Sequence, residues 1–309
     1  MIEVYRGSAN TWECDEMGHM NVRFYLSRMM EGLMELAHVV GMPHAFGAQA
    51  RSTLAPRDQN IRYMREAKAG ESLTMTAQVV DVADSSVLIF QRMDHADGRT
   101  CATYTTWVDH IDISANQPFP WAPKVKEAWL ALKAETPDGL GPRSLQLDAP
   151  PAKNATVEIA EELGAPVIGR CVVQPTQCDL RGRMLPEFFI GRVSDSVGHL
   201  LKNWREQVAD AARARGETIT TGGAVLEARW VYRAWPAAGD RIVIRSGLGF
   251  IDDKTHSIVH WLLDPTTGQA WATCQVVAIT FDLAARKIVP TTPEAAEALK
   301  KLIPSGLAV

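Results

Sequence analysis

The stretch Cys14-Asp15-Glu16-Met17-Gly18-His19-Met20-Asn21-Val22-Arg23-Phe24-Tyr25-Leu26-Ser27-Arg28 returns 164 residues later as Cys178-Asp179-Leu180-Arg181-Gly182-Arg183-Met184-Leu185-Pro186-Glu187-Phe188-Phe189-Ile190-Gly191-Arg192. Over residues 14–32 and 178–196, six of 19 gapless positions are identical: Cys14, Asp15, Gly18, Met20, Phe24 and Arg28 with their partners. Tyr25, Leu26, Met29 and Glu31 meet the similar Phe189, Ile190, Val193 and Asp195. Further on, Tyr63 to Glu71 matches Tyr232 to Asp240, and Gly98, Ala102, Thr103 and Asp112 match Gly268, Ala272, Thr273 and Asp282. Self-similarity of this extent identifies a duplicated unit.

Each copy has the same coarse pattern. A β-prone segment (2–9; 167–175) leads through a glycine-containing loop into a long helix, predicted at about Asn21–Val40 and Pro186–Arg215. Apolar residues recur at helical spacing in the first, and a proline opens the second, where its missing N–H costs nothing. Extended segments follow at 58–63, 72–82, 86–95 and 100–112, and again at 224–232, 241–251, 255–263 and 270–281. Ala96-Asp97-Gly98 and Pro265-Thr266-Thr267-Gly268 supply turns. Strand, helix and four antiparallel strands make an α+β unit. The expected organisation is 1–118, a Pro/Gly-containing linker with short helices at 119–165 (124–135 and 154–163), 166–290, and a closing helix and tail at 291–309 (helix 294–302).

Composition sets the outer limits. The 309-residue chain is 46% hydrophobic and 22% charged, with a formal net charge of -4. That is globular composition, with no basic excess of the kind a nucleic-acid binder carries. Five cysteines are an odd count without CxxC pairs or zinc spacing, and are expected to be buried thiols in a reducing compartment. No signal-peptide core or membrane-length apolar run occurs, so a cytoplasmic protein is expected.

Trp12-Glu13-Cys14-Asp15-Glu16-Met17-Gly18-His19-Met20-Asn21, opening a long helix with Tyr63…Ala67-Lys68-Ala69-Gly70-Glu71 downstream, resembles the 4-hydroxybenzoyl-CoA thioesterase-like hotdog proteins. The resemblance spans about 1–115 and 166–285. It implies a double hotdog, in which each long helix is wrapped by an antiparallel sheet, and an acyl-CoA thioesterase that needs no metal or other cofactor. It also implies an acyl-CoA or acyl-carrier-protein thioester as substrate, and a homodimer of double units as a reasonable assembly. In the family, the residue matching Asp15 is the catalytic carboxylate, and amides at the helix N-terminus polarise the carbonyl.

The residues themselves fit that chemistry. A carboxylate at Asp15 can attack a thioester carbonyl or activate water. Unpaired N–H groups in the first helical turn, around Val22, are natural oxyanion donors. Gly18 permits a tight turn, His19 can orient the carboxylate or bind the thioester, and Asn21 suits an N-cap. The same string also serves ordinary turns and caps. The second copy keeps Asp179 and Gly182 but has Arg183 and Leu185 in place of His19 and Asn21, so the Asp15 site is expected to be live and the Asp179 site degenerate or binding.

A competing arrangement uses Glu31 or Asp195 on the helices, the latter with His199 one turn on, as in a hydratase or dehydratase acting on enoyl thioesters. Pairing of these acids with Arg28 and Arg192 is the ordinary alternative. A non-catalytic thioester binder is the third class. Phosphates of coenzyme A call for basic residues, with Arg57, Arg62, Arg65, Lys68, Arg229 and Arg233 as candidates. Five of nine tryptophans lie in the second copy; sheet packing explains them more simply than an aromatic cage for a quaternary ammonium acyl group.

Overall fold

The computed structural model describes residues 1–214, 216 and 220–309; Arg215, the expected end of the second long helix, lies outside them. The chain forms two compact units, Met1–Leu147 with Gln177–Ile190, and Asp148–Thr176 with Gly191–Val309. These bounds differ from the sequence-based ones. Residues 119–147 stay with the first unit, where Asn60 donates to the Leu145 carbonyl at 2.8 Å. Residues 148–165 and 291–309 belong to the second, packing Ala155, Ala160, Leu307 and Val309 around Trp261. Residues 177–190 group with the first unit because Arg181 donates to the carbonyls of Ala45 and Gly47.

In the first unit the elements are β1 (Ile2–Ser8), α1 (Val22–Val39), β2 (Ser52–Tyr63), β3 (Ser72–Val82), β4 (Ser86–His95), β5 (Thr100–Asp112), the two-residue β6 (Gln117–Pro118) and α2 (Pro123–Ala131). The sheet is antiparallel in the order β1-β3-β4-β5-β2, with β6 on the end of β5. Strand β2 starts six residues before the expected Asp58. A register shift between Pro56 and Asp58 absorbs the proline, which has no amide to give the ladder.

Helix α1 buries Tyr25, Leu26, Met29, Met30, Leu33, Leu36 and Ala37 on one face. Full burial of each large apolar side chain contributes about 1.5–3 kcal/mol. Two sheet side chains reach the helix backbone: Gln91 donates to Met29 O at 3.1 Å and Tyr104 to Tyr25 O at 3.0 Å. A polar group in a core needs such a partner, so these bonds fix the helix on the sheet.

The second unit repeats the plan with α3 (Val157–Glu162), β7 (Val167–Val172), the greater part of α4 (Pro186–Ala214), β8 (Thr221–Tyr232), β9 (Arg241–Ile251), β10 (His256–Leu263), β11 (Ala270–Asp282), β12 (Lys287–Ile288) and α5 (Pro293–Leu302). Strand order β7-β9-β10-β11-β8 copies that of the first unit, with β12 on β11. The fold is therefore an α+β double hotdog. Trp204, Trp230 and Trp261 are buried in its core, and Trp230, Tyr232 and Trp235 stack at 6.2 and 5.2 Å, a packing role. Among the described residues no helix is long and apolar enough to cross a membrane.

Candidate active site

The loop before α1 is folded by the Asp15 side chain. Its Oδ1 accepts the amides of Met17 at 2.9 Å and His19 at 3.2 Å. Backbone bonds from Asp15 N to His19 O and from Gly18 N to Asp15 O close the turn at 2.8 and 3.0 Å. Gly18 sits at φ +78°, a left-handed conformation that a side chain would strain. With Oδ1 occupied, Oδ2 has no protein donor among the described residues. One oxygen holds the loop and the other accepts no hydrogen bond from a described residue.

At the start of α1 the amides are unequal. The Asn21 side chain accepts Arg23 N at 3.0 Å, and Phe24 N donates to Asn21 O at 2.9 Å. Val22 N has no acceptor among the described residues. The expectation of several oxyanion donors around Val22 thus narrows to Val22 itself, at the positive end of an 18-residue helix.

Other groups at the loop were not foreseen from sequence. Glu66, which follows β2, places Oε2 3.0 Å from Nε2 of the buried His19. A carboxylate there fixes the imidazole's orientation and leaves Nδ1 without a protein partner among the described residues. Glu13, itself buried, accepts from Asn10 N at 2.9 Å and pairs with Arg28, which also reaches Glu31. Its own carbonyl accepts Asn21 N at 2.8 Å, so this network holds the loop against the helix. The long separations in sequence hid both contacts.

The second loop has the same backbone and different chemistry. Asp179 Oδ1 accepts from Arg181 N and Arg183 N at 2.8 and 3.0 Å, and Gly182 again has φ +78°. Its Oδ2, however, is gripped by Nε and Nη2 of Arg183 at 3.3 and 3.2 Å. The position of Val22 is held by Pro186, which has no amide hydrogen. Both an available carboxylate oxygen and the donor are missing here.

The remaining candidates are placed elsewhere. Glu31 pairs with Arg28, and Asp195, 70% exposed, lies 3.8 Å from Arg192. His199 is exposed and makes no hydrogen bond to Asp195. Arg57 lies 3.6 Å from Asp109 and over Trp107, Arg62 donates to the Gly139 and Gly141 carbonyls at 2.6 and 2.7 Å, and Arg65 donates to Thr100 O. Arg229 is buried and bonded to Ala149 O, and Arg233 reaches Thr273 while burial lowers its guanidinium's proton affinity. Both candidate arginines of the second copy thus bond within the protein, and Lys68 is exposed.

Comparison with known proteins bears on the fold and the family. Over 133 residues, 41% of this chain, the sequence is 28% identical to an L-carnitine dehydrogenase/betainyl-CoA thioesterase of Rhizobium meliloti. The match spans 27% of that relative's length. An acyl-ACP thioesterase from Bacteroides thetaiotaomicron superposes with a TM-score of 0.62 at 10% identity, covering 89% of this chain and 96% of that one. A 12:0-ACP thioesterase from Umbellularia californica gives 0.63 at 8% identity, covering 89% and 93%. These two likenesses establish the fold. The profile of the Thioesterase-like superfamily matches residues 9–129 and 173–299, once in each repeat, and the chain belongs to that family.

Proposed function

We propose that the protein hydrolyses an acyl-CoA thioester to the free acid and coenzyme A at the Asp15 loop. One observation carries this reading: among the described residues, Asp15 keeps an unbonded carboxylate oxygen in the loop that leads into α1, whose first amide, Val22 N–H, is also unpaired. A thioester carbonyl polarised by that amide develops negative charge where the helix end is positive. Asp15 Oδ2 then withdraws a proton from a water attacking the carbonyl carbon, or attacks that carbon itself to form a mixed anhydride that water hydrolyses; in either course the thiolate of coenzyme A departs. His19, held by Glu66, orients the reacting groups. The second copy, with Asp179 locked and Pro186 without a donor, serves as scaffold.

The family and the named relatives support thioester chemistry; the acyl group is a separate question. The test is thiol release from a panel of short, branched, aromatic, anionic and cationic acyl-CoAs, betainyl-CoA among them, with acyl-carrier-protein thioesters alongside. Hydrolysis of at least one, abolished in Asp15→Asn, supports the proposal. Loss of enoyl absorbance without thiol release would point to hydration instead, and binding without turnover to a carrier role.

A further inference from the structure

Arg23 is the residue after Val22, and its guanidinium carbon lies 4.0 Å from the centroid of the Phe188 ring and 5.1 Å from that of Phe24. An arginine stacked on aromatic faces keeps its planar fork in a fixed orientation, suited to a planar pair of oxygens. No described residue meets that fork. Among the described residues Arg23 makes no side-chain hydrogen bond and no ion pair, and its Nε is buried without an acceptor.

Other arginines of α1 and of the second loop have partners for their side chains. Arg28, five residues on, is held between Glu13 and Glu31, Arg181 caps two carbonyls, and Arg183 grips Asp179. The acid beside Arg23 is Glu187, in the first turn of α4. Glu187 is only 9% exposed and receives no hydrogen bond from another described residue. Burial pushes its carboxyl up while the Arg23 charge pulls it down, yet the two form no ion pair. The guanidinium is thus positioned, partly desolvated and unanswered.

We propose that Arg23 determines acyl specificity: its fork receives a carboxylate carried on the acyl group, so that acidic acyl thioesters are preferred. The proposal rests on the reading of the Asp15 loop as a thioesterase site, because it puts Arg23 one residue beyond the amide that holds the reacting carbonyl. A carboxylate a few carbons from that carbonyl falls within the side chain's reach. The phosphates of coenzyme A stand a whole pantetheine arm away. Glu187 opposes an anion at this point, which sets two variants in opposition.

The experiment compares succinyl- with butyryl-CoA, and glutaryl- with valeryl-CoA, by the ratio of kcat/KM for the acidic to the neutral member. Wild type should favour the acidic member, Arg23→Gln should lower the ratio at least ten-fold, Arg23→Lys should retain part of it, and Glu187→Gln should raise it. A ratio unmoved by Arg23→Gln in protein with wild-type circular dichroism overturns the proposal. So does the reverse pattern, a preference for betainyl-CoA that Glu187→Gln abolishes. The same variants are titrated calorimetrically with inert thioether analogues bearing carboxylate or methyl tails. If wild type hydrolyses no thioester, the thioesterase reading fails, and the analogues still decide about Arg23: selective loss of the carboxylate-tailed ligand supports its role and equal binding of both tails rejects it.

Discussion

Val22 and Pro186 occupy the same first position of the two long helices, and only Val22 has an amide hydrogen to offer. Proline suits that position conformationally, so the difference costs the second helix no stability. It removes one donor from the second copy without disturbing its fold.

This relationship yields a test that leaves side-chain chemistry untouched. Val22→Pro should fold, as α4 does with proline there, and lose about 10²- to 10³-fold in kcat, the scale for loss of one oxyanion donor. Thiol-release kinetics with a melting curve check both halves of the expectation. Near-normal kcat in the folded variant would remove the amide from the mechanism.

Asp15 and Asp179 share a backbone setting and differ in the state of Oδ2. Asp15→Ala should cut turnover by roughly 10²-fold or more, whereas Asp179→Ala should act mainly on thermal stability. Equal kinetic losses at both positions would mean that both loops are live.

Glu66→Gln keeps the size of the side chain and removes the charge facing His19. Its expected cost is about 10- to 100-fold in kcat, the scale for a partner that orients a reacting group, with a smaller change in KM. An unchanged kcat would reduce the pair to a surface contact.

His260 in β10 provides a prediction about pH and stability. It is fully buried, its Nδ1 lies 2.8 Å from Ser246 Oγ, and burial lowers its pKa to about 3. The unfolded chain takes up this proton below about pH 6.5 and the native one does not. Stability should therefore fall as pH drops from about 6.5 toward 3, by up to about 1.4 kcal/mol per pH unit from this residue. Denaturant titrations should give a flatter acid limb for His260→Leu than for wild type; parallel limbs would show that other groups dominate.

The repeat, the long helices and most strands follow from features local in sequence, while the strand order rests on pairings between distant segments. Cys14–Gly32 and its echo mark the duplicated loop and helix, and alternating apolar residues mark the strands. What escaped notice depends on contacts between distant segments. Glu66 reads as an ordinary turn residue until the fold places it on His19, and Arg62 reads as a phosphate ligand until residues 139–141 cover it. Strand β2 reads as 58–63 from sequence and in fact starts at Ser52, with a register shift at Pro56 showing how the sheet accommodates the proline. Asp195 and His199 have suitable spacing on a helix, but spacing does not reveal that both face water.

The fate of the second loop limits any attempt to rebuild a symmetric enzyme. Arg183→His would unclasp Asp179, yet Pro186 would still deny the carbonyl its donor, while Arg181 continues to bolt the loop to the turn at Ala45 and Gly47. The second loop is masonry, and giving it the first loop's open groups demands several simultaneous changes, each useless without the others.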